Sequence, residues 1–201
     1  MAGTTAAIVL AAGRSDRFGD DNKLLASLAG RPVIAHVMDQ VLHSKARPVV
    51  VVTGQDAEQI MGQIQTPGIK VSFVHNAMFN QGLSSSLEAG IAALDQSVEG
   101  ALIVLGDMPL ITADMIDALI DKFAPGQGQS IVIPVHERQQ GNPVLWGREH
   151  FAELCALTGD TGAKQVLARH RARQERIELG PAVLRDIDHK AALVAVNREL
   201  G

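Results

Sequence analysis

The chain has 201 residues, 46% of them apolar and 20% charged, which excludes a wholly disordered polymer and suits one compact domain with a single core. A formal net charge of -4 leaves no electrostatic footprint for a nucleic-acid partner. The lone Cys155 cannot form an internal disulfide, and Leu154, Ala156 and Leu157 around it suggest a helix face. The apolar stretch Ala6 to Ala12 follows no basic residue and stops at Gly13, unlike a secretory signal or a membrane span, so the expectation is a soluble cytoplasmic protein with no membrane partner.

Short β-branched runs alternate with helical periods, the pattern of an α/β chain with a parallel sheet. Ala6 to Leu10 opens as a strand. Val33, Ile34, Val37, Met38, Val41 and Leu42 then recur at helical spacing and predict an amphipathic helix over 31–44. A strand at 49–52, a helix at 56–65 and a strand at 69–74 follow. Leu87, Ile91 and Leu94 turn inward from a helix at 84–94, where Ser85 and Glu88 have capping-box spacing. After a strand at 101–105, Thr112 is placed to cap a helix carrying Met115, Ile116, Leu119, Ile120 and Phe123 on one face. The turn at Pro125 to Gly128 leads to a strand at 131–133. Beyond Pro134, glycines and Pro143 punctuate short segments that shape a substrate pocket.

Three loops carry the chemistry. The first strand runs into Leu10-Ala11-Ala12-Gly13-Arg14, with Arg17 and Lys23 beyond it. Ligands of open parallel sheets collect outside the carboxyl ends of the strands. Small residues there let backbone amides approach a nucleotide, while arginine and lysine supply charge for phosphate. Neither GxGxxG nor GxxxxGK[ST] occurs, which disfavours a dinucleotide dehydrogenase and a P-loop kinase. The second loop, Leu105-Gly106-Asp107-Met108-Pro109, puts a carboxylate at another strand end, where it can hold a divalent cation against phosphate. The third, Asn80 to Gly90, opens a helix with Gly82, Ser84, Ser85 and Ser86, offering helix amides and hydroxyls to an anion or a base edge. Taken singly, each loop also reads as an ordinary turn or cap. His36 and His43 read as surface residues, and His75 fits either surface or site.

LAAGRSDRFGDDNKLL, NQGLSSSLEAG, LGDMP, GNPVLW and GDTGAK, in this order, resemble the molybdopterin cytidylyltransferase branch of the molybdenum-cofactor nucleotidyltransferases. The resemblance covers nearly the whole chain and implies a single three-layer Rossmann-like α/β domain over 1–201. Its N-terminal part would bind nucleotide and residues 134–188 would bind the acceptor. It further implies CTP or a related triphosphate, Mg2+ and a molybdopterin-type acceptor. A molybdenum hydroxylase apoenzyme or its chaperone would receive the product.

Carried over by position, Leu10, Ala11, Ala12, Gly13, Arg14, Lys23, Gly82, Ser84 and Ser85 would contact the nucleotide. Arg17, Lys23 and Asp107 would be catalytic. Asp107 and Asp188 would hold the metal, Asp188 being chosen over Asp186. Asn142, Pro143, Asp160 and Gly162 would border the acceptor. Where the guanylyl branch has glycine, this chain has Ala12, which favours cytidine. It also has Asn142 where many relatives have histidine, and His189-Lys190 after Asp188 where Thr-Pro is usual. Other expectations consistent with the motifs are a sugar phosphate or another small phosphorylated acceptor, a GTP-using guanylyltransferase, and a non-catalytic cofactor-delivery protein.

Overall fold

In chain order, the computed structural model has β1 (Thr5–Ala11), β2 (Ser27–Leu28), β3 (Arg31–Pro32), α1 (Val33–His43), β4 (Val49–Thr53), α2 (Ala57–Gly62), β5 (Val71–His75), α3 (Leu83–Ala92) and β6 (Gly100–Leu105). There follow α4 (Ala113–Lys122), β7 (Ile131–His136), β8 (Gln139–Gln140), β9 (Val144–Gly147), α5 (Phe151–Cys155), α6 (Lys164–Arg169), β10 (Gln174–Glu178) and α7 (Lys190–Leu200). The described residues are 4–15, 18–19, 21–66, 68–159 and 163–200.

The main sheet has the order β10-β7-β9-β6-β1-β4-β5, with β8 paired to β7. β1 is parallel to both β4 and β6, and β5 continues the parallel set. β9 is the exception: it lies antiparallel between β6 and β7, after which β10 is again parallel to β7. The fold is therefore α/β with a mostly parallel sheet, as the alternation of elements implies.

Strand periodicity sends successive β1 residues to opposite faces. Ala7, Val9 and Ala11 join α1 and α4 in one core through Ile34, Val37, Met38, Ile116 and Leu119. Ala6, Ile8 and Leu10 join Leu87 and Ile91 of α3, Leu154 of α5 and Leu167 of α6 in the other. With both faces covered, β1 and β4 are continuous apolar runs, every residue of each buried.

All six periodic residues of α1 are buried, and the Thr112 side chain accepts a hydrogen bond from the Met115 amide as an N-cap. His43 is exposed and His75 is exposed, but His36 is half-buried, with Nε2 2.8 Å from the Leu28 carbonyl. The expected capping box in α3 does not form. That helix starts at Leu83 after Gly82, so Ser85 sits within its first turn and donates to the carbonyls of Gly82 and Met78. Among the described residues no helix is long and apolar enough to cross a membrane.

Candidate functional site

The parallel register sets the site. Leu10 pairs with Leu105, so the loop after β1 and the loop after β6 leave the sheet side by side, and the Gly106 amide donates to the Leu10 carbonyl. Lys23 returns toward this edge because its amide donates to Ser15 Oγ and the next amide, of Leu24, donates to Asn22 Oδ1. Its ammonium then reaches Asp107 Oδ2 at 2.5 Å and Asp188 Oδ1 at 3.0 Å.

Asp188 arrives from the far end of the chain. The Ile187 amide donates to the Asp107 carbonyl, and the Ile187 side chain is wholly buried with Phe18, Leu28, Val33 and Val196. In extended backbone, residues on either side of an inward one share the opposite face. Carboxylate oxygens of Asp107, Asp186 and Asp188 accordingly lie within 4.8 Å of one another, so Asp186 belongs to the cluster together with Asp188.

The Asp107 side chain is 14% exposed and that of Lys23 15%. Burial pushes the Asp107 carboxyl up, with Lys23 opposing. Burial also opposes the Lys23 ammonium, but Asp107 and Asp188 outweigh it and hold Lys23 above its ordinary range. Asp107 Oδ1 is buried with no protein partner. An orphaned carboxylate oxygen, two further carboxylates at cation-binding distance and an all-oxygen donor set fit a hard divalent ion.

A cavity of about 440 Å³ opens over this cluster, lined by Leu10, Ala12, Gly13, Arg14, Lys23 and Asp107 on one side and by Phe79, Gly82 and Ser86 on the other. Gly82 stands at φ 100°, a conformation that favours glycine, and so turns the chain into α3 with the helix N-terminus at the cavity. A second cavity of about 280 Å³ shares Leu10, Leu83 and Leu105 with the first and extends to Ser84, Asn142, Trp146 and Lys164.

The motif residues thus separate. Ala12, Gly13, Arg14, Lys23, Gly82 and Asp107 line the first cavity, while Ser84 and Asn142 line the second. Ala11 is fully buried in the core and lines neither, Ser85 turns back to Met78, and Pro143 stays outside the lining. Arg17, Asp160 and Gly162 lie outside the described residues. Ser86, named in the motif but not among the expected nucleotide contacts, is buried, accepts from Asn76 Nδ2 and takes the cavity position expected of Ser85. The sequence reading did not single out Ser15 and Asn22, which shape the loop before Lys23.

Among curated proteins, the chain is 35% identical over 150 residues to the bifunctional protein GlmU of Sinorhizobium fredii, covering 74% of this chain and 32% of that protein. It is 30% identical over 202 residues to GlmU of Sinorhizobium medicae, covering 98% of this chain and 41% of that protein. The chain therefore spans well under half the length of these relatives. Among solved structures, the Rv0371c homologue from Mycobacterium sp. strain JC1 superimposes with a TM-score of 0.83 at 26% identity, covering 99% of this chain and 100% of that one. A nucleotidyl transferase from Methanothermobacter thermautotrophicus has the same fold, with a TM-score of 0.83, 22% identity, and coverage of 98% and 97%. With its family model matching residues 7–175, the chain belongs to the MobA-like NTP transferase domain family.

Proposed function

We propose that this protein is a nucleotidyltransferase that moves a nucleoside monophosphate from a triphosphate to a small phosphorylated acceptor, releasing pyrophosphate. The observation that carries the reading is the pairing of Lys23 with Asp107 and Asp188, with Asp186 close by, where Lys23 and Asp107 line one cavity that runs into a second. In the finer reading the donor is CTP and the acceptor molybdopterin. Its support is the motif set together with Ala12, which lines the first cavity and is 3% exposed.

The transfer is an in-line displacement at the α-phosphate, which asks for positioning and charge neutralisation more than covalent help. Ala12 and Gly13 let the nucleotide lie close to backbone, and the α3 N-terminus and Ser86 offer donors. Lys23 balances negative charge as the phosphorus bond breaks. Asp107, with Asp186 and Asp188, would hold magnesium, which when bound supplies charge neutralisation at the phosphates. The related fold of Rv0371c from Mycobacterium tuberculosis has been crystallised with manganese, at 22% identity. Asn142 and Lys164 in the second cavity receive the acceptor's polar end. No general base is needed, because a phosphate acceptor is already ionised at neutral pH.

The whole chain would act as one unit, its N-terminal part on the nucleotide and 134–188 on the acceptor. The test is pyrophosphate release from each of the four ribonucleoside triphosphates with magnesium, offered molybdopterin, a sugar phosphate or no acceptor. Release with CTP and molybdopterin is expected. Release only with a sugar phosphate overturns the acceptor, and no release with any pair overturns the class.

A further inference from the structure

A second group of metal-ligating side chains lies at the other end of the sheet. β9 runs antiparallel to β6, so Gly147 at its end pairs with Gly100 at the start of β6, whereas Asp107 follows the end of β6. His150 stands just beyond Gly147, Glu153 lies one turn further in α5, and His170 follows α6. Ligand atoms of these three residues come within 4.8 Å of one another. No part of the transfer reaction described above uses them.

We propose that His150, Glu153 and His170 form a binding site for a transition-metal dication of the zinc type, separate from the carboxylate cluster. Two imidazoles and a carboxylate form a borderline-soft donor set that favours zinc, unlike the all-oxygen set at Asp107, which favours magnesium or manganese.

The surroundings are those of a prepared site. His150 is 3% exposed, and its Nε2 lies 2.9 Å from Ser130 Oγ, itself fully buried, which orients the ring and leaves the other nitrogen for a metal. The His150 and His170 rings meet at 4.6 Å between centroids, and His170 Nε2 approaches Glu153 Oε2 at 2.6 Å. Arg169 pairs with the other Glu153 oxygen and holds the carboxylate in place. The Glu153 and His170 side chains are 25% and 32% exposed, so an ion can enter and water can take the fourth position. Bound metal would tie α5 to the end of α6, two short helices that pack on the same face of the sheet.

The test uses the full chain, stripped with chelator and titrated with zinc chloride and, separately, cobalt(II) chloride. It is run in an Asp107→Asn/Asp188→Asn background so that the carboxylate cluster does not contribute. One equivalent of zinc, a raised melting temperature and the visible bands of four-coordinate cobalt with nitrogen and oxygen ligands are expected. His170→Ala and Glu153→Gln, at half-exposed positions that tolerate change, should each weaken zinc binding by roughly 10-fold or more. In the otherwise native chain those two variants should leave magnesium-supported pyrophosphate release unchanged. His150→Ala removes a buried ring and is judged only if its circular dichroism is native. Absence of zinc binding in the Asp107→Asn/Asp188→Asn background overturns the site, as does binding that survives both His170→Ala and Glu153→Gln.

Discussion

Lys23 and Asp107 have both given up most of their hydration, and each is tolerable in the fold because the other is there. Lys23→Ala leaves the Asp107 carboxylate without its cation. Because that carboxyl can take up a proton, the loss of stability is capped at about 1–3 kcal/mol in urea unfolding. Asp107→Asn should cost less, since Lys23 keeps Asp188. The order reverses in the assay. Asp107→Asn removes the most buried of the clustered oxygens and should abolish magnesium-dependent turnover, while Lys23→Ala should lower kcat by roughly 10²–10³-fold with a smaller change in nucleotide KM. Near-normal turnover of Asp107→Asn would sink the metal assignment, and an effect of Lys23→Ala confined to KM would reduce that residue to a binding role.

Ala12 belongs to the same scale. Ala12 lines the cavity, and the methyl it carries in place of glycine should crowd a purine, giving CTP an advantage over GTP of about 10–200-fold that Ala12→Gly narrows. Matched pyrophosphate-release rates for the two nucleotides measure it, and equal rates in the parent refute the cytidylyl reading. Which residues would meet in this site was legible from Lys23 and Asp107, because loops after parallel strands converge whatever the detail. The choice between Ser85 and Ser86 was not legible. It depends on where α3 begins, and a shift of one residue rotates a side chain by about 100° around a helix.

At the scale of elements, legibility followed periodicity. α1 could be read because six of its apolar residues repeat at helical spacing, and every one of those six is buried. β9 is three apolar residues and a glycine, all buried, with no period of its own, and β10, Gln174–Glu178, reads as polar surface. The strand order in the second half was therefore hidden. So was the meeting of His150 with His170, which packing brings together and no local spacing announces.

Two further outcomes test the elements. A Cβ on Gly90 would fall 2.5 Å from Ile8 Cγ2, a branched and fully buried group, so Gly90→Ala should push α3 off β1. The strain of about 1–3 kcal/mol exceeds the helix-propensity gain of at most about 1 kcal/mol, and calorimetry should show a lower Tm. At the C-terminus, Arg185 grips Glu199 through both oxygens, and that hydrogen-bonded pairing holds the Glu199 carboxyl below its usual range. A depressed carboxyl stabilises the fold above its ordinary pKa and loses that contribution as pH falls through the lower folded value. Protection of the α7 amides, corrected for the slower intrinsic exchange in acid, should accordingly fall only below the ordinary glutamate range, and Glu199→Gln should show the same loss of protection at neutral pH.

For the whole molecule, the two joined cavities divide the labour. Lys164 lines only the second, so Lys164→Ala should raise the KM for acceptor several-fold and leave the nucleotide KM unchanged. A rise in nucleotide KM alone would place the acceptor elsewhere.

The reversed strand β9 bears on how the chain is made. β5, β4, β1 and β6 are complete by residue 105, yet β6 gains its outer neighbour only when residues 144–147 arrive. During synthesis the growing chain thus carries a bare edge of Gly100–Leu105, with Ala101, Leu102 and Val104 buried in the finished fold. An open apolar edge is a template for the wrong partner. A fragment ending near residue 130 should collect in inclusion bodies, whereas one extended through 147 should stay more soluble.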